Sequence, residues 1–285
     1  MDLPWAARHA ARLCVVAESP STNTELIGRV RHDPASTWPS LSVLATDRQS
    51  AGHGRHGRAW VAPAGCCLAA SVLVRPRGRA AEPESLGWLP LVAGLAMVRA
   101  IEQLGVPVGL KWPNDVLAGP AAARPGKLVG VLAELAVTPD GPAVVLGTGV
   151  NLTLAEAQLP VPTATSLALC GVAHPDPDAV LAPYLAALAR LIGRLEEAGP
   201  LGGAVVAGLS HESGGPAARG GPEAGSIRSQ VREACTTLGR PVRVEAPGGL
   251  LTGTAVDIDE GGRLVVENAA GRTAVSAGDV THLRY

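Results

Sequence analysis

Short apolar runs separated by turn residues dominate the first half of the chain and predict a sheet. The runs Leu41–Ala45 and Leu68–Val74 are continuous over the length of a buried strand. Leu128–Val137 and Ala143–Leu152 are joined by T-P-D-G-P, a strong turn signal, so we predict an antiparallel pair there. Val108–Trp112 is predicted as a further strand that leads into the turn P-N-D.

Helical spacing of apolar residues is confined to fewer segments. Ser85–Leu104 and Asp178–Glu197 repeat at about 3.6 residues, which is typical of helices packed on a core. Residues 5–17 are predicted as an N-terminal helix that runs into a short strand, Leu13–Ala17, and Ser21-Thr22-Asn23 as the cap of the next helix. Strands and helices in this irregular order favour an α+β fold over a doubly wound parallel sheet.

The last third of the chain has a different texture. Residues 200–225 are rich in Gly, Ala, Pro and Ser, which is typical of a linker or insertion. Short strands separated by glycine turns follow Cys235, and that rhythm suits a small β-barrel. We therefore predict a catalytic domain over residues 1–200, a Gly-rich linker or insertion over 201–226 and a small barrel domain over 227–285.

Composition excludes some classes of function. The 285 residues carry a formal net charge of −1, so no global field attracts the protein to nucleic acid or to acidic membranes. Five cysteines without C-x-x-C spacing, and the lack of a signal segment or an apolar run of spanning length, indicate a reduced cytoplasm and no membrane. The residues before Ser21 are too few for a helix-turn-helix, so we expect no DNA binding.

The stretch Thr46–Trp60, T-D-R-Q-S-A-G-H-G-R-H-G-R-A-W, is the first candidate site. Its three glycines allow the backbone to approach a ligand closely. Arg55 and Arg58 can chelate phosphate oxygens with planar bidentate forks, and His53 adds a charge only when it is protonated. A pliable, positive loop suits an anion that has to be wrapped, although a solvated glycine-rich turn has the same composition.

Three other stretches join this loop in a specific order. They are Ser21-Thr22-Asn23, K-W-P-N-D at 111–115, and G-K-L-V-G at 126–130 continuing to G-T-G-V-N-L at 147–152. Together the four stretches resemble the motifs of the biotin protein ligases, which join biotin to a lysine of a carrier protein. The resemblance implies a mixed or antiparallel sheet flanked by helices, as in class II aminoacyl-tRNA synthetases, and a C-terminal barrel like a Src-homology-3 domain.

The resemblance also implies roles for individual residues. Lys127, Arg55 and Asp115 would be catalytic, with Lys127 against the reacting carboxylate. The biotin pocket would be formed by Ser21, Thr22, Asn23, Gln49, Gly52, His53, Gly54, Arg55, Lys127 and Gly149. The nucleotide would be held by Arg55, Arg58, Trp60, Asn114, Lys127 and Asn151.

ATP and biotin are the implied substrates, and Asp115 is the implied contact for Mg²⁺, which prefers oxygen ligands and keeps substrate phosphates in its shell. The implied partner is the biotin carboxyl carrier domain of a carboxylase, with a monomer and a homodimer both open. The family's loop begins with arginine where this chain has His53. This difference concerns the affinity of the loop for its ligand and leaves the expected reaction unchanged.

Two classes of alternative remain at this stage. A lipoate or octanoate ligase or transferase of the same fold is the nearest, and octanoyl transfer needs a nucleophilic cysteine such as Cys170. A non-catalytic ligand sensor or repressor is the second. An interaction module built on the C-terminal barrel leaves the Gly/Arg loop unexplained.

Overall fold

The computed structural model describes residues 1–202, 225–246, 249–276 and 278–283. Its helices are α1 (Thr22–Val30), α2 (Pro83–Leu86), α3 (Leu89–Glu102), α4 (Pro177–Ala198) and α5 (Ile227–Ala234). The first nine strands are β1 (Arg12–Val15), β2 (Ser42–Thr46), β3 (Gly52–His53), β4 (Ala59–Trp60), β5 (Cys67–Val74), β6 (Val108–Lys111), β7 (Asp115–Ala118), β8 (Gly126–Thr138) and β9 (Gly141–Asn151). The last five are β10 (Pro241–Ala246), β11 (Gly249–Ile258), β12 (Leu264–Asn268), β13 (Gly271–Val275) and β14 (Asp279–His282).

A seven-stranded sheet organises the first two thirds of the chain. Its strand order is β1-β2-β5-β9-β8-β7-β6, and every neighbouring pair is antiparallel except β1 with β2. Helix α3 packs on one face of the sheet and α4 packs on α3, within a large apolar core that includes Trp88 and Tyr184. A smaller apolar cluster around Leu26 and Trp38 packs α1 on the sheet. The predicted mixed sheet flanked by helices is confirmed.

Helix α1 begins where the sequence predicts. Ser21 adopts an extended backbone, and its side chain accepts a hydrogen bond from the backbone N–H of Thr24 at 3.4 Å. Glu25 lies in the first turn, at the positive end of the helix. This capping fixes the direction of Thr22 and Asn23, the first two helical residues.

The predicted helix at the start of residues 5–17 is wrong, whereas the strand predicted at Leu13–Ala17 is present, shifted toward the N-terminus. Only Ala6–Arg8 is helical, as a single 3-10 turn, and Arg12–Val15 is strand β1. The Asp178 carboxylate accepts from the backbone N–H groups of Trp5 and Ala6, each at 2.8 Å, and so ties the chain to the start of α4. Pairing with β2 then holds the following residues in an extended strand, because a short isolated helix is only marginally stable and the sheet offers its backbone groups other partners.

Pro83–Glu102 is long and apolar enough to cross a membrane by length and composition alone. In the folded chain, 72% of its most apolar window is buried inside the protein. Helix α3 therefore occupies the position of a core helix.

A second sheet of five antiparallel strands, in the order β13-β12-β11-β10-β14, follows the Gly-rich segment. Two buried indoles from the first part of the chain, Trp88 and Trp112, donate to the backbone oxygens of Glu260 and Gly262 in the turn between β11 and β12. The backbone N–H of Thr236 also donates to Leu110 at 2.7 Å. These bonds hold the second sheet against the first.

Two elements of this region were not predicted, namely α5 and β14. Helix α5 packs against α3, so residues 227–234 belong spatially beside the large core. Most of the Gly-rich stretch, residues 203–224, lies outside the described residues, and the proposed three-part division of the chain stays a prediction.

Candidate active site

The four sequence stretches meet in one cleft between the large sheet and the second sheet. The cleft has a volume of about 1120 Å³. Fourteen of the predicted site residues line it: Ser21, Thr22, Asn23, Gln49, His53, Gly54, Arg55, Arg58, Trp60, Asn114, Asp115, Lys127, Gly149 and Asn151. Residues far apart in sequence therefore form one continuous surface.

One end of the cleft is neutral and polar. Gln49 accepts from the backbone N–H of Thr22 at 2.9 Å, so the loop after β2 is joined to the start of α1. The buried Asn23 amide donates to the Leu132 oxygen at 3.2 Å and to a Glu134 carboxylate oxygen at 2.7 Å. The Ser71 hydroxyl lies 2.6 Å from the Asn23 side-chain oxygen. Such fixed dipoles suit a ligand whose recognition group is polar and uncharged.

The glycines of β9 make room for two of these side chains. A Cβ placed on Gly147 would lie 2.2 Å from the Asn23 Oδ1, and one on Gly149 would lie 2.5 Å from the Trp60 ring. Gly130 on β8 is in a similar position, with the Trp60 ring 3.0 Å from its missing Cβ. The run G-T-G-V-N is thus a wall whose small residues admit Asn23 and the indole.

Gly52 is the one predicted site residue that does not line the cleft. It is buried, and a Cβ there would lie 2.1 Å from the Gln49 Nε2. Its contribution is space for Gln49. Asn151 lines the cleft, but its amide donates to the Thr165 oxygen at 2.8 Å, so that donor group is used within the wall.

A lysine occupies the middle of the cleft. The Lys127 ammonium lies 2.7 Å from a carboxylate oxygen of Asp115 and 5.9 Å from the centre of the Trp60 ring. Lys111 is the cross-strand partner of Asp115 in the β6–β7 pair. Asp115 therefore stands between the two lysines of the chain, and positive charge exceeds negative charge at this point.

The Gly/Arg loop closes one side of the cleft. Its two arms pair as β3 and β4, and its tip, Arg55–Gly57, forms a single turn in which His56 has a φ of 56°. The Arg55 guanidinium donates to the Gly278 oxygen at 3.2 Å, and Arg58 forms an ion pair with Asp279 on β14. The second sheet therefore contacts the loop directly.

Burial and neighbouring cations shape the charges of the cleft. Burial lowers the pKa of Arg55, and burial also lowers the pKa of Lys111, with Lys127 adding to that effect. Burial, followed by the nearby charges of Lys111 and Arg240, lowers the pKa of His282 to about 4. Cationic groups thus converge where the two sheets meet, which favours an anionic ligand there.

Three residues that line the cleft or contact its lining residue Asn23 were not found from sequence. Ser71 and Glu134 lie inside apolar strands, and Asp279 lies in a short strand without a motif. Among the described residues no group of three or more His, Cys, Asp or Glu side chains is arranged to hold a metal ion. Asp115 stays the predicted contact for a magnesium ion that arrives with substrate phosphates, since such ions take one or two protein carboxylates.

A cleft with a polar, uncharged end, a lysine and a cationic loop suits a ligase whose substrates include an anion. The profile of the Biotin/lipoate A/B protein ligase family matches residues 15–151, and that of the Biotin protein ligase C terminal domain matches residues 237–283. The chain belongs to the biotin protein ligase family.

Two relatives and one solved structure give the extent of the likeness. A biotin–[acetyl-CoA-carboxylase] ligase of Mycobacterium tuberculosis is 39% identical over 280 residues, covering 96% of this chain and 90% of the relative. The enzyme of the same name from Paracoccus denitrificans is 32% identical over 274 residues, covering 93% and 98%. The biotin protein ligase of Aquifex aeolicus, in complex with biotin and ATP, has a TM-score of 0.69 at 26% identity and covers 96% of this chain and 100% of that one.

Proposed function

We propose that the protein uses ATP to attach biotin to a lysine of the biotin carboxyl carrier domain of acetyl-CoA carboxylase. The names of the relatives from Mycobacterium tuberculosis and Paracoccus denitrificans support this acceptor. The observation that carries the proposal is that Lys127, paired with Asp115, lines the same cleft as Thr22, Gln49 and the arginines of the loop. A carboxylate bound at one end would meet a phosphate bound at the other beside this ammonium.

The first step joins two anions. A biotin carboxylate oxygen attacks the α-phosphorus of ATP, the bond to the β-phosphate oxygen breaks, and pyrophosphate leaves with the electron pair. Such a reaction requires fixed positive charge and positioning more than a covalent nucleophile. Lys127 supplies charge at the point of attack, and Arg55 and Arg58 supply it to the phosphates. Asp115 holds the Lys127 ammonium in place at 2.7 Å.

The second step transfers the acyl group. The amine of the acceptor lysine attacks the acyl carbon of biotinoyl-5′-AMP, and AMP leaves. The amine of the acceptor lysine has to lose a proton in this step. Asp115, the carboxylate that pairs with Lys127, can polarise that amine. Magnesium would accompany the phosphates at the same carboxylate and offset their charge.

The five cysteines are all free thiols, which agrees with action in a reduced cytoplasm.

Cys170, the cysteine proposed as the nucleophile of an octanoyl transferase, does not have the properties of a nucleophile. Burial raises the pKa of the Cys170 thiol, the opposite of what a thiolate nucleophile needs. Its sulfur lies 3.4 Å from the Arg124 backbone oxygen and 3.6 Å from the Thr165 hydroxyl. These contacts suit a structural thiol.

Incubation with ATP and either biotin or lipoate tests the proposal. We expect biotinoyl-AMP, but no lipoyl-AMP, to remain bound and to be detected by mass spectrometry. Addition of a biotin carboxyl carrier domain should then give a product heavier by one biotinoyl group, whereas a carrier whose acceptor lysine is replaced by arginine should stay unmodified. Equal use of lipoate, or no pyrophosphate release with biotin, would refute the assignment.

A further inference from the structure

Glu134 is a charged residue in the middle of an apolar strand, and the reaction as described does not use it. It lies on β8 opposite Val145 of β9, with its side chain about one third exposed. One carboxylate oxygen accepts from the Asn23 amide at 2.7 Å. The same oxygen lies 3.6 Å from the His53 Nε2 on the Gly/Arg loop. Glu134 therefore contacts both Asn23, at the polar end of the cleft, and His53 on the Gly/Arg loop.

The carboxylate determines which way the Asn23 amide faces. An ionised carboxylate only accepts hydrogen bonds, and a backbone carbonyl likewise only accepts. Because Glu134 and the Leu132 oxygen both face the Nδ2 of Asn23, that atom is the NH₂ group and the Oδ1 points to Ser71. Gly147 leaves space for the oxygen at this position.

The orientation of the Asn23 amide sets the direction of the hydrogen bonds made by the hydroxyls of Ser71 and then Thr22. The Ser71 hydroxyl lies 2.6 Å from the Asn23 Oδ1 and 2.8 Å from the Thr22 Oγ1. A hydroxyl has one proton, and the amide oxygen cannot donate, so Ser71 donates to Asn23 and Thr22 donates to Ser71. The other partner of the Thr22 hydroxyl, the Gln49 oxygen, is more distant at 3.3 Å. A contact of 2.8 Å without a proton between the two hydroxyls would be repulsive.

The Thr22 oxygen consequently offers lone pairs to the cleft that it lines. We propose that Glu134 is a positioning residue that fixes the Asn23–Ser71–Thr22 chain in one direction, so that Thr22 accepts a hydrogen bond from a ureido N–H of biotin. This inference rests on the proposed function, because a cyclic urea supplies the N–H donor. Without Glu134 the Asn23 NH₂ group keeps only the longer, neutral hydrogen bond to the Leu132 oxygen at 3.2 Å, so the direction of the chain is held less firmly and the Thr22 proton can turn toward the ligand.

Four variants separate this role from a general effect on packing. Thr22→Val removes the acceptor, Glu134→Met removes the carboxylate at similar length, and the double variant combines them. Glu134→Gln is the conservative control, because its side-chain oxygen still accepts from Asn23 while the charge facing His53 is lost. Calorimetric titration with biotin gives the affinity of each variant, and thermal unfolding confirms that each is folded.

We expect Thr22→Val and Glu134→Met each to weaken biotin binding about tenfold, the effect of one hydrogen bond. The double variant should be no weaker than either single variant, and Glu134→Gln should bind within about threefold of wild type. Losses that multiply in the double variant, or a Glu134→Met variant that binds biotin normally, would overturn the inference. Wild-type protein that does not bind biotin would instead refute the proposed function, and the inference with it.

Discussion

Replacing the central lysine with methionine is the most direct test of the cleft electrostatics. Lys127→Met keeps the side-chain length and removes the ammonium that lies 2.7 Å from Asp115. Two unit charges about 4 Å apart interact by about 4 kcal/mol at an effective dielectric of about 20. The Lys127 side chain is 35% exposed, so solvent screening reduces its contribution to the developing anion to about 3 kcal/mol. We therefore expect adenylate formation to slow by about 100-fold.

The fold should tolerate this change, because Lys127 is partly exposed and Lys111 remains across from Asp115 as a second cation, so we expect a loss of stability of about 1 kcal/mol. Lys111→Met is the matched control, since Lys111 lies across Asp115 on the neighbouring strand and the chain has no third lysine. Burial already lowers the pKa of Lys111, so removing its charge also removes a desolvation cost, and we expect a loss below about tenfold. Single-turnover formation of biotinoyl-AMP, quenched and measured by mass spectrometry, provides the rates. Equal losses in this step for both variants would refute the assignment of Lys127.

Three further outcomes are expected. Gly149→Ala places a Cβ 2.5 Å from the Trp60 ring and should cost about 1–3 kcal/mol of stability in denaturant unfolding, with a shifted tryptophan emission. Asp279→Asn removes the ion pair of Arg58 and should speed tryptic cleavage of the loop in the absence of ligands, with protection restored by biotin and ATP. His282 has a folded pKa of about 4, below the value of about 6.5 in an unfolded chain, so the unfolded state binds the proton first. Stability should therefore fall as the pH decreases from about 6.5 to about 4, and His282→Gln should flatten that slope in thermal unfolding.

The sequence predicted those parts of the site that are encoded locally. The loop glycines, the capping Ser21 and the two lysines lie in contiguous motifs, and all four motifs line one cleft. Ser71 and Glu134 were not predicted, because no short sequence pattern marks a single polar residue within an apolar strand as part of a site. Their roles depend on register, which sets Ser71 opposite Gly147 and leaves space there for Asn23.

The wrong N-terminal helix and the missed strand β14 have the same origin. The N-terminal segment is amphipathic enough for a helix, but Asp178, more than 160 residues later, captures its backbone N–H groups. Strand β14 is only four residues long and pairs with β10 on the far side of the second sheet. In both cases a long-range partner decides the local structure, and a short window of sequence does not contain that partner.

The cationic loop has protein acceptors for its charges before any ligand binds. His53 faces Glu134, Arg55 donates to the Gly278 oxygen, and Arg58 pairs with Asp279. A triphosphate that takes over these contacts exchanges one set of acceptors for another, so its affinity is smaller than the sum of its new hydrogen bonds. The exchange also breaks contacts with the second sheet, because Gly278 and Asp279 belong to that region. We therefore predict that nucleotide binding is coupled to the position of the C-terminal strands, whereas a ligand that reaches only the Thr22–Gln49 end should leave those strands in place.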